Sequence, residues 1–88
     1  MSKQDEEPVE LTMILFYKTE KAVLMGSTEG SNGIWLPKSQ ITEQRIVGRT
    51  KPGVRLGRNK PRLAPKEGAP IVQFKLAHWL AANNHLVD

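Results

Sequence analysis

The sequence contains no cysteine. That excludes disulfide staples and thiolate metal sites, and with them a secreted knot or a zinc ribbon. Aromatic residues make up 6% of the chain, so few rings are available to fill a core or to stack on a ligand. No apolar run approaches the ~18 residues of a membrane-spanning helix. The opening residues are acidic rather than basic and then apolar, unlike a signal peptide. In a chain of 88 residues, these absences point to one small domain acting in the cytoplasm with no membrane partner.

Acidic residues are also missing where basic ones gather. The formal net charge of +4 averages three unlike regions. Residues 1–10 hold Lys3 against Asp5, Glu6, Glu7 and Glu10, and net −3. The 22 residues from 45 to 66 carry eight cations and no anion. These cations are Arg45, Arg49, Lys51, Arg55, Arg58, Lys60, Arg62 and Lys66. The rest of the chain is close to neutral. One segment therefore sets the electrostatic character of the molecule.

Residues 1–10 have little apolar content and read as a flexible acidic arm, leaving 11–88 as a single domain. Residues 11–17 form a dense apolar and β-branched run, too short for a helix, and read as a strand buried on both faces at its centre. Residues 22–25 and 34–36 read as further strands. Asn32-Gly33 tolerates positive φ and suggests the tight turn between them, and Pro37 ends the third strand. Residues 41–47 fit neither period cleanly, with a weak strand signal at 45–47. Residues 48–69 are poor in apolar side chains and punctuated by Pro and Gly, which predicts a long basic loop. Within it, Val54 and Leu56 alternate with Arg55 and suggest a brief extended piece. Residues 71–74 read as the last strand. Leu76, Trp79, Leu80 and Asn83 recur at helical spacing, with Asn83 or Asn84 as the C-terminal cap.

The fold class that follows is mainly β (α+β). It is a small antiparallel sheet or partly open barrel of about five short strands with one C-terminal helix. Its expected core is Leu11, Met13, Leu15, Val23, Trp35, Ile71, Phe74, Trp79 and Leu80.

Two short strings, Trp35-Leu36-Pro37-Lys38-Ser39-Gln40 and His78-Trp79-Leu80-Ala81, resemble a loosely defined group of small uncharacterised proteins from bacteriophages and prophages. The resemblance covers residues 21–40 and 74–86. Ala77-His78 stands where that group often has a Pro-acid pair, and His85-Leu86 where it often has Gly-Leu. The resemblance implies a phage or prophage setting and no mechanism.

Chemistry-bearing patterns are sparse. Gly26, Gly30 and Gly33 lack the Gly-Lys-Ser/Thr ending of a phosphate loop and lie between strands. His78 and His85 would stand about 10.5 Å apart on a continuous helix, too far to share a metal. Lys38 and Ser39 are neighbours that point apart in extended chain, and Glu29, Glu43 and Glu67 are isolated in sequence. The reading is of a protein that is not an enzyme and has no metal site and no cofactor.

Cations crowded without a counter-charge repel one another, and nucleic-acid phosphate is a partner that relieves this. The candidate contacts are Lys38, Arg45, Arg49, Lys51, Arg55, Arg58, Lys60, Arg62 and Lys66. Trp35 is a candidate stacking platform beside Lys38, in competition with its role as a core anchor. With no aromatic residue between 45 and 66, contact to the backbone is favoured over reading of sequence. The leading expectation is a non-catalytic nucleic-acid-binding protein, DNA or RNA. The alternative is a phage-encoded protein that binds and modulates a host protein, and a solvated loop without a specific ligand is the third reading.

Overall fold

The structure, a computed structural model, describes residues 7–58 and 61–86. The chain runs β1 (Val9–Lys18), β2 (Ala22–Gly26), β3 (Ile34–Pro37), a single 3-10 turn (Lys38–Gln40) and β4 (Ile41–Arg49). It continues through β5 (Arg55–Leu56), β6 (Arg62–Leu63) and β7 (Pro70–Leu76) to one helix, α1 (His78–Asn83). Antiparallel pairing orders the main sheet β3-β2-β1-β7-β4, and β5 with β6 makes a separate two-stranded sheet. The architecture is therefore mainly β with a C-terminal helix, as the apolar runs predict.

The sheet does not close into a barrel, because β3 and β4 are its two unpaired edges. Yet those edge strands are joined by the three residues Lys38–Gln40 alone. Laid flat, five strands would hold the edges about 19 Å apart. The stretch from Pro37 to Ile41 reaches at most ~14 Å when fully extended, and helical winding shortens it further. The sheet must curl, and the curl gives it an inner and an outer face.

The inner face carries the main core. Met13 of β1, Val23 and Met25 of β2, Leu36 of β3, Ile41 of β4 and Val72, Phe74 and Leu76 of β7 are buried together with Ala81 of α1. Leu80 and Leu86 pack against this cluster. The helix ends in a Schellman arrangement: the Leu86 N–H donates to the Ala81 carbonyl at 2.9 Å and the His85 N–H to the Ala82 carbonyl at 3.1 Å. The left-handed residue there is His85, at φ 58°, rather than either asparagine. Asn84 is the C-terminal cap, as expected, and its Nδ2 also donates to the Leu80 carbonyl at 3.0 Å.

The outer face carries a second cluster. Ile14 and Phe16 of β1 bury against Leu56, Ala64 and Ala69 from the basic segment, with Leu24, Val54 and Ile71 around them. Residues 48–69 are thus not a plain loop. They fold as a small hairpin whose anchors are one leucine and two alanines, residues too few and too small to register as an apolar pattern. Backbone hydrogen bonds fix it, including Ala64 N to Val54 O at 2.9 Å and Thr50 N to Ala69 O at 2.9 Å. Gly68, at φ 83°, lies so close to the Thr50 carbonyl that a Cβ would collide with it.

Other expectations are corrected. Trp35 and Trp79 are not core residues; they are 51% and 52% exposed. Leu76 belongs to β7, so the spacing that paired it with Trp79 crosses a strand–helix boundary, and α1 buries Ala81 instead. Neither Asn32 nor Gly33 adopts positive φ. The chain reverses at residues 28–31, where the Ser31 Oγ donates to the Thr28 carbonyl at 2.9 Å. Val9 and Glu10, expected in the acidic arm, pair with Leu76 and Lys75. Residues 1–6 of that arm lie outside the described residues.

The two aromatic side chains on either side of the turn from β7 into α1 therefore separate cleanly in energy. Phe74→Ala should lower unfolding stability in urea by about 3–5 kcal/mol, the range for a buried Phe. Trp79→Ala, at an exposed site, should cost under about 1 kcal/mol. Equal losses would show that the two rings are buried alike.

Candidate nucleic-acid interface

The outer face gains its aromatic character from one irregularity in β1. Leu15 pairs with Met25, but the next regular partner of β2, Leu24, is met by Tyr17, so a bulge lies between Leu15 and Tyr17. Leu24 pairs in turn with Trp35 of β3. Tyr17, Leu24 and Trp35 thus form one cross-strand row, and Leu24 belongs to the outer cluster. The Tyr17 and Trp35 rings meet edge to face, with centroids 6.4 Å apart and planes at 89°. Tyr17 is 44% exposed.

The β5–β6 hairpin reaches this row. The Arg62 guanidinium carbon stands 4.1 Å from the Tyr17 ring centroid, a cation–π contact. Beside it lies a hollow of about 320 Å³ floored by Phe16, Leu24 and Leu56 and bordered by Asn32, Arg58 and Arg62. Small residues create the floor. The Phe16 ring lies against Gly26, where a Cβ would overlap it and come within 2.7 Å of the Ser31 Oγ. The Gly57 N–H donates to the Glu29 carbonyl at 2.9 Å, tying the hairpin tip to the β2–β3 loop.

The basic residues do not act as one surface. Arg58 and Arg62 join the aromatic row. Arg55 is exposed on β5 beside buried Leu56, and Lys51 and Lys66 are exposed in the turns that flank the hairpin. Arg49 is committed to structure, its Nη1 donating to the Gly68 carbonyl at 3.3 Å. Arg45 donates from Nε to the Gln73 Oε1 at 2.9 Å. Lys60 lies outside the described residues. Lys38 is separated from Trp35, because it lines a hollow on the inner face with Val23, Met25 and Val72. The ion pair found among the described residues, Lys75 Nζ to Glu43 Oε2 at 3.3 Å, does not involve the hairpin.

Sequence spacing pointed to Trp35 but not to its pairing with Tyr17. A strict two-residue period sends Tyr17 to the inner face with Met13 and Leu15, and nothing in the local residue types marks the bulge. The aromatic–cationic patch offers ring faces and edges for an unpaired base and guanidinium groups for phosphate, a combination used for single-stranded nucleic acid. Comparison with protein-family models, curated proteins and solved structures finds no match to this chain.

If the ring and guanidinium interact in solution, a double-mutant cycle over Tyr17→Leu and Arg62→Ala should return a coupling of about 0.5–1 kcal/mol in urea unfolding. Simple additivity of the two substitutions would show that they do not.

Proposed function

We propose that this protein binds single-stranded nucleic acid on its outer face and performs no chemistry on it. The observation that carries the reading is the stack of Arg62 over Tyr17 with Trp35 edge-on beside it, on a surface whose neighbouring side chains are cationic. Adjacent half-exposed rings mark an interaction surface, and the faces of unpaired bases are suitable covers. Duplex bases are already stacked, so a single strand suits this surface better. Arg58 and Arg62 would hold phosphates next to the stacked bases, with Lys51, Arg55 and Lys66 extending the track. Contacts of this kind carry little sequence information. A phage or prophage origin rests on the two short strings around Trp35 and Trp79 alone.

A second reading, docking on a protein partner, draws on the edge strand β4, where Ile46 and Val47 are exposed. An unpaired edge with apolar side chains is a template for strand addition.

Fluorescence titration with a homopolymeric oligodeoxynucleotide tests the first reading. If four phosphates are neutralised, log K should fall against log salt with a slope of about −2.8. Trp35→Ala should weaken binding by about 5–150-fold, the value of one stacked base, and matched duplex should bind less tightly. Salt-independent binding, or full affinity without Trp35, would overturn it. In a pulldown, partners lost after nuclease treatment support the first reading, and a stoichiometric protein retained after nuclease supports the second.

A further inference from the structure

The inner face holds a second hollow, separate from the aromatic row and larger, at about 450 Å³. Its walls come from both halves of the curled sheet and from the β3–β4 connection. Leu15, Val23, Met25, Ile41 and Val72 give it an apolar lining. Two residues that border it, Lys18 and Lys38, bring ammonium groups, and no carboxylate lines it among the described residues. Arg45, which also borders it, turns its side chain to Gln73 on the opposite face. Lys18 is brought here by its pairing with Val23, which puts it on the inner face. The helix fills the rest of this face through Leu80, Ala81 and Leu86, which are not among the residues lining the hollow.

We propose that this hollow binds a free monoanionic amphiphile of the medium-chain fatty-acid type, with the acyl chain against the apolar lining and the carboxylate between Lys18 and Lys38. Charge complementarity selects the head group: two cations with no carboxylate between them among the described residues favour an anion. The lining selects the tail. It has no aromatic ring on which a base could stack, and Gln44 is its sole side-chain amide. A nucleotide would therefore be held by phosphate alone. The volume lies within the range of small-molecule sites, enough for a chain of about eight to twelve carbons. The hollow is bounded by four strands and the connection, so the ligand is a single molecule rather than a bilayer surface. This inference is independent of nucleic-acid binding on the outer face.

The test is a titration of the full-length protein with decanoate below its micelle threshold, followed by calorimetry and by amide chemical shifts. Saturable one-to-one binding is expected, with shifts centred on Val23, Met25 and Val72. Octanoate should bind roughly fifteenfold more weakly, at about fourfold per methylene. Decanol, equal in tail but uncharged, should bind at least about tenfold more weakly. The double variant Lys18→Ala, Lys38→Ala should lose that preference for decanoate while its decanol affinity stays unchanged. A saturating oligonucleotide should not displace decanoate. Equal affinity for decanoate and decanol, shifts centred on Tyr17 and Trp35, or no saturable binding would each overturn the proposal. Because these substitutions remove exposed side chains, a native circular dichroism spectrum establishes that the variant has folded.

Discussion

Three residues, Lys38–Gln40, carry the chain from one edge of the five-stranded sheet to the other. That short tether is the constraint from which the rest follows. A flat sheet cannot satisfy it, so the strands coil until the edges approach, and coiling distinguishes an inside from an outside. The inside collects the larger apolar side chains, with Leu36, Phe74 and Leu76 wholly buried. It is also too wide for one six-residue helix to fill. What the helix leaves uncovered is the cation-bordered hollow. Pro37, which cannot donate to a ladder, and the tight turn after it stop β3 where the crossing must begin.

On the outside, the problem is different: a highly charged segment has to be held in place with little apolar material. Burying Leu56 contributes about 2 kcal/mol, and Ala64 and Ala69 add less each. Backbone pairing supplies the remainder of the order. Small residues also permit close approach, as at Gly68 beneath the Thr50 carbonyl. The economy suits a binding surface, since the same backbone that orders the hairpin leaves Arg55, Arg58 and Arg62 turned to solvent. Arg49 marks the boundary of that surface, being occupied by the Gly68 carbonyl.

Much of this was legible in the residues, and the failures have physical causes. The central strand β1 announced itself because Met13 and Ile14 are both buried, which needs consecutive apolar side chains. β2, β3 and β7 were visible for the same reason. β4 was blurred because two register shifts, with Glu43 at φ 51° between the first pair, destroy its two-residue period. The hairpin in residues 48–69 was hidden because alanine and backbone contacts leave little trace in a hydropathy pattern. Trp79 lies outside the core because the helical spacing that groups it with Leu76 runs across the end of a strand. The concentration of positive charge was plain from the chain alone. Its division between arginines held by neighbouring groups, Arg45 and Arg49, and those of the aromatic row depends on which face each strand presents.

The bulge in β1 settles that last question for two residues at once. Strand side chains alternate, so inserting one extra residue inverts the parity of everything after it until the strand ends. Here only Tyr17 and Lys18 follow, and the inversion exchanges them: the ring goes outward and the ammonium inward. With an uninterrupted register, the same two residues would place a tyrosine in the inner hollow and a lysine beside Trp35. The two candidate surfaces therefore share a single hereditary unit. Regularising the pairing while keeping every residue would move the ring and the ammonium to the opposite faces together, so neither surface can change through this register without the other.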